Sequence, residues 1–152
     1  MTDQSNHPHD GEDSDEVNSF TMLLPREEGN IESVPLQHQR YNLQSIHSSI
    51  SIRQLPSQGL TFQLWLAAAT LVNLLDGRFH PHPSLSALLA VRGAGKRLRI
   101  LELGSGIGVV GIAAAATLGA SVTVTDLPHV LPNIQLNVDL NSEVLENHCP
   151  QF

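Results

Sequence analysis

The sequence predicts an α/β protein built around a parallel, doubly wound sheet. Residues 98–103 form an apolar run that ends in glycines, residues 109–118 form an alanine-rich helical stretch, and residues 121–125 form a second apolar run. A helix-length crossover between two apolar strands is typical of parallel strands joined by a right-handed connection. The length of 152 residues is enough for one small domain and too short for two.

A strand or hairpin and a helix are predicted upstream of that unit. Ile46, Ile50 and Ile52 alternate with polar residues, which is the period of a strand with one buried face. Residues 60–76 carry apolar side chains at helical spacing and end at an Asp-Gly pair. The following stretch is rich in Pro, His, Gly and Arg, and residues 85–91 within it predict one or two helical turns.

Charge is concentrated at the start of the chain. The formal net charge is −7, yet residues 1–32 alone hold nine acids and one base, so the remaining chain is close to neutral. We expect residues 1–20 to be a disordered acidic tail and residues 21–43 to be an irregular lead-in. A nearly neutral folded part argues against nucleic acid as a partner bound through bulk charge.

The setting expected from the sequence is the cytoplasm, with the nucleus as an alternative, and not a membrane. Cys149 has no second cysteine to pair with, the first residues do not resemble a signal peptide, and no apolar stretch reaches the roughly 20 residues of a membrane span. His7 and His9, with Asp10 nearby, lie in a segment expected to be mobile and so lack the pre-set geometry of a metal site. His80 and His82 have no Cys or third His close in sequence, so no metal site is predicted there either.

Three glycines and one acid indicate a site for a nucleotide-type cofactor. Gly104, Gly106 and Gly108 lie between a strand and a helix, where a missing Cβ lets a ligand approach the backbone. Asp126 follows Gly106 by 20 residues and ends the next strand. A carboxylate at that position can accept hydrogen bonds from the hydroxyls of a bound ribose.

The details of the turn favour one cofactor over another. A dinucleotide fingerprint beginning at Gly104 needs a third glycine at the position of Val109, so an oxidoreductase using an NAD-type dinucleotide is only a remote alternative. Glu102 would repel a pyrophosphate but suits a cationic or amino-bearing head group, such as that of S-adenosylmethionine. The alternative for Glu102 is a carboxylate that only caps loop amides.

Three separated motifs, in order, resemble a known family. They are residues 50–54 (ISIRQ), residues 65–68 (WLAA) and residues 100–128 (ILELGSGIGVVGIAAAATLGASVTVTDLP), and the last is followed by NVDLN at residues 137–141. Together they are similar to the seven-stranded methyltransferases, and in particular to the family-16 branch of non-histone protein-lysine methyltransferases. The resemblance covers residues 44–141.

The resemblance implies a fold, a cofactor and five site residues. Residues 44–141 would form the amino-terminal part of a Rossmann-like methyltransferase fold, with about two of its seven strands, and residues 142–152 would be a tail or a divergent end. S-adenosylmethionine would be the cofactor. The backbone at Gly104, Ser105 and Gly106 would contact its methionine part, Asp126 would bind its ribose, and Trp65 would pack nearby. Without the resemblance, a lone tryptophan is more often a core residue.

The resemblance also implies that the substrate of the full-length enzyme is a lysine side chain of another protein. The family's active-site segment has no counterpart in these residues, so we expect a truncated chain that is inactive alone, either monomeric or dependent on chaperones, with an open apolar strand edge at residues 98–103. The alternative is a non-catalytic binding or regulatory isoform of the full-length enzyme. No residue of this chain is predicted to be catalytic.

Overall fold

The computed structural model describes residues 38–78 and 98–149, together with Pro83, Ser86, Ala87 and Ala90. The expectations for residues 1–20 and for both histidine pairs lie outside the described residues. The four separate positions are helical, in agreement with the short helix predicted near residues 85–91.

The described elements follow one another as two small sheets and four helices. In chain order they are β1 (His38–Leu43), β2 (Ser48–Arg53), α1 (Leu66–Leu75), β3 (Arg99–Leu103), α2 (Val109–Leu118), β4 (Ser121–Thr125), α3 (Leu131–Asp139) and α4 (Ser142–His148). Strands β1 and β2 form an antiparallel pair, and β3 and β4 form a parallel pair.

The predicted strand, turn, helix and strand are confirmed. Strand β3 pairs with β4 in parallel, from Arg99 opposite Ser121 to Leu103 opposite Thr125. Between them runs α2, in which every residue except Val110 is buried. Its alanines keep the helix narrow, and this allows the helix to lie close to the sheet while neighbouring helices cover its other sides.

The upstream hairpin begins earlier than the sequence predicted. Residues 38–43 were expected to belong to an irregular lead-in, but they form β1 and pair with β2, with Tyr41 opposite Ile50. Tyr41 and Leu43 are buried in the main core. The expectation was wrong there because pairing with β2 determines the conformation, while the largely polar sequence of β1 shows little strand pattern of its own.

The helix predicted over residues 60–76 is shorter. Leu60–Phe62 form a 3-10 turn, and α1 begins only at Leu66. The Leu64 amide donates to Gln54 Oε1 at 2.7 Å, and Phe62 is buried in a separate apolar cluster. These long-range contacts hold the segment in an irregular path that its apolar spacing did not reveal.

The carboxyl end of the described chain is packed and helical. Residues 142–152 were expected to be a tail or a divergent end, but Ser142–His148 form α4, which packs against α2. Leu145 and Cys149 are buried, with 3% and 2% of their surfaces exposed. Four-residue spacing places both side chains on one helix face, so two apolar residues in a polar stretch are enough to dock it.

One face of the parallel pair is open among the described residues. Leu101 is 62% exposed and Leu103 is 76% exposed, whereas Ile100 and Glu102 point toward α2 and are partly covered. Within residues 38–78 and 98–149, β3 pairs only with β4. Whether the other edge of β3 stays open in the whole protein remains a prediction.

Gly111 sets the distance between α2 and the sheet. A Cβ at this position would overlap Val124 Cγ1 and lie 2.7 Å from Glu102 Oε2. Alanine is favoured over glycine in a helix by about 1 kcal/mol, but overpacking costs about 1–3 kcal/mol. We therefore expect Gly111→Ala to lower the free energy of unfolding by up to about 2 kcal/mol, measured by urea denaturation.

The control for this prediction is the double variant Gly111→Ala, Val124→Ala. Removing the valine methyl groups takes away the nearest obstacle, so the two substitutions should be less destabilising together than the sum of their separate effects. A Gly111→Ala variant that is more stable than the parent chain would show that the helix and the sheet have room to spare at this point.

Candidate cofactor-binding site

The glycine loop, residues 104–108, leads from the carboxyl end of β3 into α2. Gly104, Gly106 and Gly108 have φ angles of +67°, +54° and +78°, in the left-handed region that favours glycine. The Ser105 amide donates to the Thr125 carbonyl at 2.9 Å, and the Ser105 hydroxyl accepts from the Thr125 amide at 3.2 Å. The loop is therefore fixed to the end of the neighbouring strand.

Asp126 lies directly against the glycine loop. Its Oδ2 accepts a hydrogen bond from the Gly106 amide at 2.7 Å, and its Oδ1 accepts one from the Leu127 amide at 2.7 Å. The fold thus brings together Gly106 and Asp126, which are 20 residues apart in sequence. Asp126 is only partly buried.

Glu102 is a second carboxylate beneath the loop. Burial raises the pKa of its carboxyl group and the charge of Asp126 adds to this, while the nearby Gly111 amide and Ser105 hydroxyl lower it. Its Oε2 is buried without a hydrogen bond among the described residues. The side chain reaches the first turn of α2 near Gly111, and its charge acts on the adjacent loop. Both the cofactor role and the amide-capping alternative for Glu102 stay predictions.

The segment before α1 covers one side of the glycine loop. A Cβ on Gly106 would lie only 3.1 Å from the Thr61 carbonyl oxygen, so a side chain there has little room. Trp65 precedes α1 in this same segment, is 56% exposed, and donates its indole N–H to the Leu60 carbonyl at 2.9 Å. Trp65 is therefore not a core residue, and its proximity to a cofactor remains a prediction.

Sequence reasoning gave no role to Asn137, which contacts the loop from the other side. Its side chain is fully buried, and its Nδ2 donates to the Ile107 carbonyl at 2.8 Å. It also forms hydrogen bonds to the backbone of Arg53. A buried polar residue must find partners, and the asparagine that opens the NVDLN motif at residues 137–141 was the signal available.

The described residues also bear on metal binding and on membrane insertion. No three His, Cys, Asp or Glu side chains gather there as metal ligands would. In the same part of the chain, no helix has both the length and the apolar character needed to cross a membrane.

The fold and the loop define an α/β protein in which a glycine loop and a carboxylate meet where two parallel strands end. Residues 44–150 match the family described as lysine methyltransferase. The chain belongs to that family, which confirms the resemblance drawn from its motifs and extends it through α4. The expected divergence from residue 142 onward is accordingly wrong.

Several individual relatives are named as lysine methyltransferases. The chain is 51% identical over 52 residues to "Protein-lysine N-methyltransferase rrg1" of Schizosaccharomyces pombe, covering 34% of this chain and 17% of that protein. It is 50% identical over 56 residues to "EEF1A lysine methyltransferase 3" of Xenopus tropicalis, covering 37% and 24%.

A longer match covers more of the chain. The chain is 30% identical over 112 residues to "Protein-lysine N-methyltransferase EFM2" of Saccharomyces cerevisiae, covering 67% of this chain and 26% of that protein. The chain therefore spans about a quarter or less of the length of these relatives.

Proposed function

We propose that this chain supplies part of the S-adenosylmethionine site of a protein-lysine methyltransferase. The observation that carries the proposal is the hydrogen bond from the Gly106 amide to Asp126 at the common end of β3 and β4. It joins a glycine loop that a ligand can approach to a carboxylate that can accept ribose hydroxyls. Family membership supports the cofactor, and the names of the relatives support the lysine substrate.

The roles of the loop residues follow from their chemistry. Gly104, Ser105 and Gly106 present backbone to the methionine part of the cofactor, and Asp126 accepts hydrogen bonds from the ribose hydroxyls. Glu102 and Asp126 make the surroundings of the loop negative, which attracts the sulfonium and amino groups and disfavours a pyrophosphate. Trp65 lies in the segment that covers the loop and packs at the cofactor's side.

The chemistry of the whole enzyme requires little beyond placement. S-adenosylmethionine supplies an activated methyl group, and a lysine must present a neutral amine in line with it. Catalysis therefore consists mainly of positioning and deprotonation. We assign this chain to cofactor binding and propose no catalytic residue in it.

The test compares two aspartates in the 152-residue chain. Asp126→Ala should weaken S-adenosylmethionine binding by about 1–3 kcal/mol, since ribose hydroxyls lose a partner. Asp139→Ala removes a carboxylate from the exposed side of α3, where it accepts a hydrogen bond from Gln135, and should leave binding unchanged. Binding is measured by calorimetry, with ligand-observed NMR for weak affinity.

NAD serves as the competing ligand in the same titrations. The proposal predicts no measurable NAD binding, because Val109 stands where a dinucleotide fingerprint has glycine and two carboxylates lie near the loop. Tight NAD binding together with no S-adenosylmethionine binding would replace this function with the oxidoreductase alternative.

A further inference from the structure

Two asparagines, Asn137 in the last turn of α3 and Asn141 in the turn between α3 and α4, face the edge of β2 that lies opposite β1. Asn137 accepts from the Arg53 amide at 2.7 Å and donates to the Arg53 carbonyl at 3.2 Å. Asn141 accepts from the Ser51 amide at 2.7 Å and donates to the Ser51 carbonyl at 2.7 Å. Each side-chain amide thus takes the place that a neighbouring strand's backbone would occupy.

The spacing of the two asparagines explains why a helix can do this. Four residues along a helical path rise about 6.0 Å, and two strand residues rise about 6.6 Å. Leu140 keeps helical φ and ψ after α3 ends, so Asn137 and Asn141 meet backbone groups two apart on β2. Strand β2 uses its other edge for β1, with Ile50 opposite Tyr41. The hairpin is therefore held to the rest of the fold by side-chain amides that imitate a third strand.

The two asparagines differ in their remaining hydrogen bond. Asn137 donates to the Ile107 carbonyl of the glycine loop at 2.8 Å. Asn141 donates instead to the Asn137 carbonyl at 2.6 Å, in the last turn of α3. Each side chain makes three hydrogen bonds of this kind, but only Asn137 reaches the loop.

We propose, on the basis of the function inferred above, that Asn137 is a positioning residue for the cofactor. The loop is held at the Gly106 amide by Asp126 and at the adjoining Ile107 carbonyl by Asn137. Fixing both groups restricts a glycine-rich segment that would otherwise sample many conformations. The loop then loses less conformational entropy when the cofactor binds, so the affinity for the cofactor is higher.

A matched pair of variants separates this role from simple stabilisation. Asn137→Ala and Asn141→Ala each remove three hydrogen bonds, so both should lower the melting temperature of the 152-residue chain to a similar extent. Only Asn137→Ala should raise the dissociation constant for S-adenosylmethionine, by about tenfold relative to Asn141→Ala. Only Asn137→Ala should also speed native-state amide exchange at residues 104–108.

Two further measurements apply if Asn137→Ala fails to fold. Asn137→Asp keeps an acceptor for the Arg53 amide and loses both donors, so it should show the same faster exchange of the loop amides. In the unaltered, ¹⁵N-labelled chain, adding S-adenosylmethionine should shift the side-chain amide signals of Asn137 and leave those of Asn141 in place.

Specific results would overturn the proposal. Equal loop exchange and equal cofactor affinity in the two alanine variants would reduce Asn137 to a docking residue. The same conclusion would follow if the cofactor shifted the loop amides but not the Asn137 side chain. If S-adenosylmethionine shifts no loop amide at all, the proposed function fails for this chain, and the exchange comparison alone decides whether Asn137 positions the loop.

Discussion

Replacing Asp76 should produce the largest loss of stability of any single change considered for the described residues. Asp76 follows α1 and is 4% exposed. It accepts hydrogen bonds from the Gln44 amide at 3.0 Å, from the Ser45 amide and hydroxyl at 2.9 and 2.8 Å, and from Arg78 Nε at 2.8 Å. We expect Asp76→Ala to lower the free energy of unfolding by about 3 kcal/mol, since buried donors and a cation lose their partner.

Urea denaturation measures this effect, and Asp139→Ala is the control. Asp139 lies on the exposed side of α3, so its removal should change stability by less than about 0.5 kcal/mol. If Asp76→Ala were no more destabilising than Asp139→Ala, the carboxylate would not be what holds the β1–β2 turn to the end of α1.

The stability that the Asp76 carboxylate contributes should depend on pH. Burial alone would raise the pKa of Asp76, but the hydrogen bonds from Ser45, Gln44 and Arg78 outweigh it and hold the pKa below its ordinary value of 3.8. The folded chain then releases this proton more readily than the unfolded chain. The Asp76 carboxylate stabilises the fold at pH values above its pKa in the unfolded chain. This stabilisation is lost as the pH falls through the lower pKa of the folded chain. The difference between the parent chain and Asp76→Ala should therefore narrow below about pH 4.

Gly104→Ala should have the largest effect on cofactor binding. Gly104 has a φ of +67°, and a Cβ there would meet no atom of the described chain within 4 Å. The open space next to it is the space through which a cofactor would approach the backbone. We expect the substitution to weaken S-adenosylmethionine binding by about 100-fold, measured by calorimetric titration.

Gly77 provides a closely matched control. It has a φ of +75°, it also faces open space, and it lies at the end of α1 rather than in the glycine loop. Gly77→Ala and Gly104→Ala should therefore cost similar stability, about 1 kcal/mol, because both force alanine into the left-handed region. Equal cofactor affinity in the two variants would mean that the glycine loop is not where the cofactor binds.

The core of the fold could be predicted from sequence because it has a local signature. Strand β3, its glycine turn and α2 are contiguous, and their apolar periods change from strand to helix at the glycines. The position of Asp126 beside Gly106 followed from the same geometry, because parallel strands end at one edge of a sheet.

The remaining features depend on partners far along the chain. Asp76 binds backbone groups 31 and 32 residues away, and Asn137 binds backbone 84 and 30 residues away. A single side chain that hydrogen-bonds to distant backbone leaves no periodic trace in the sequence. For the same reason, the strand character of β1 and the irregular path before α1 became visible only in the folded chain.

If the glycine loop and Asp126 form the S-adenosylmethionine site, the cofactor will change the amide chemical shifts of these residues. The ¹⁵N-labelled 152-residue chain is titrated with S-adenosylmethionine and, separately, with NAD. We expect S-adenosylmethionine to shift the amides of residues 104–106 and 126–127 first and most, and NAD to leave them in place. Shifts confined to other residues, or loop shifts caused by NAD and not by S-adenosylmethionine, would contradict the account.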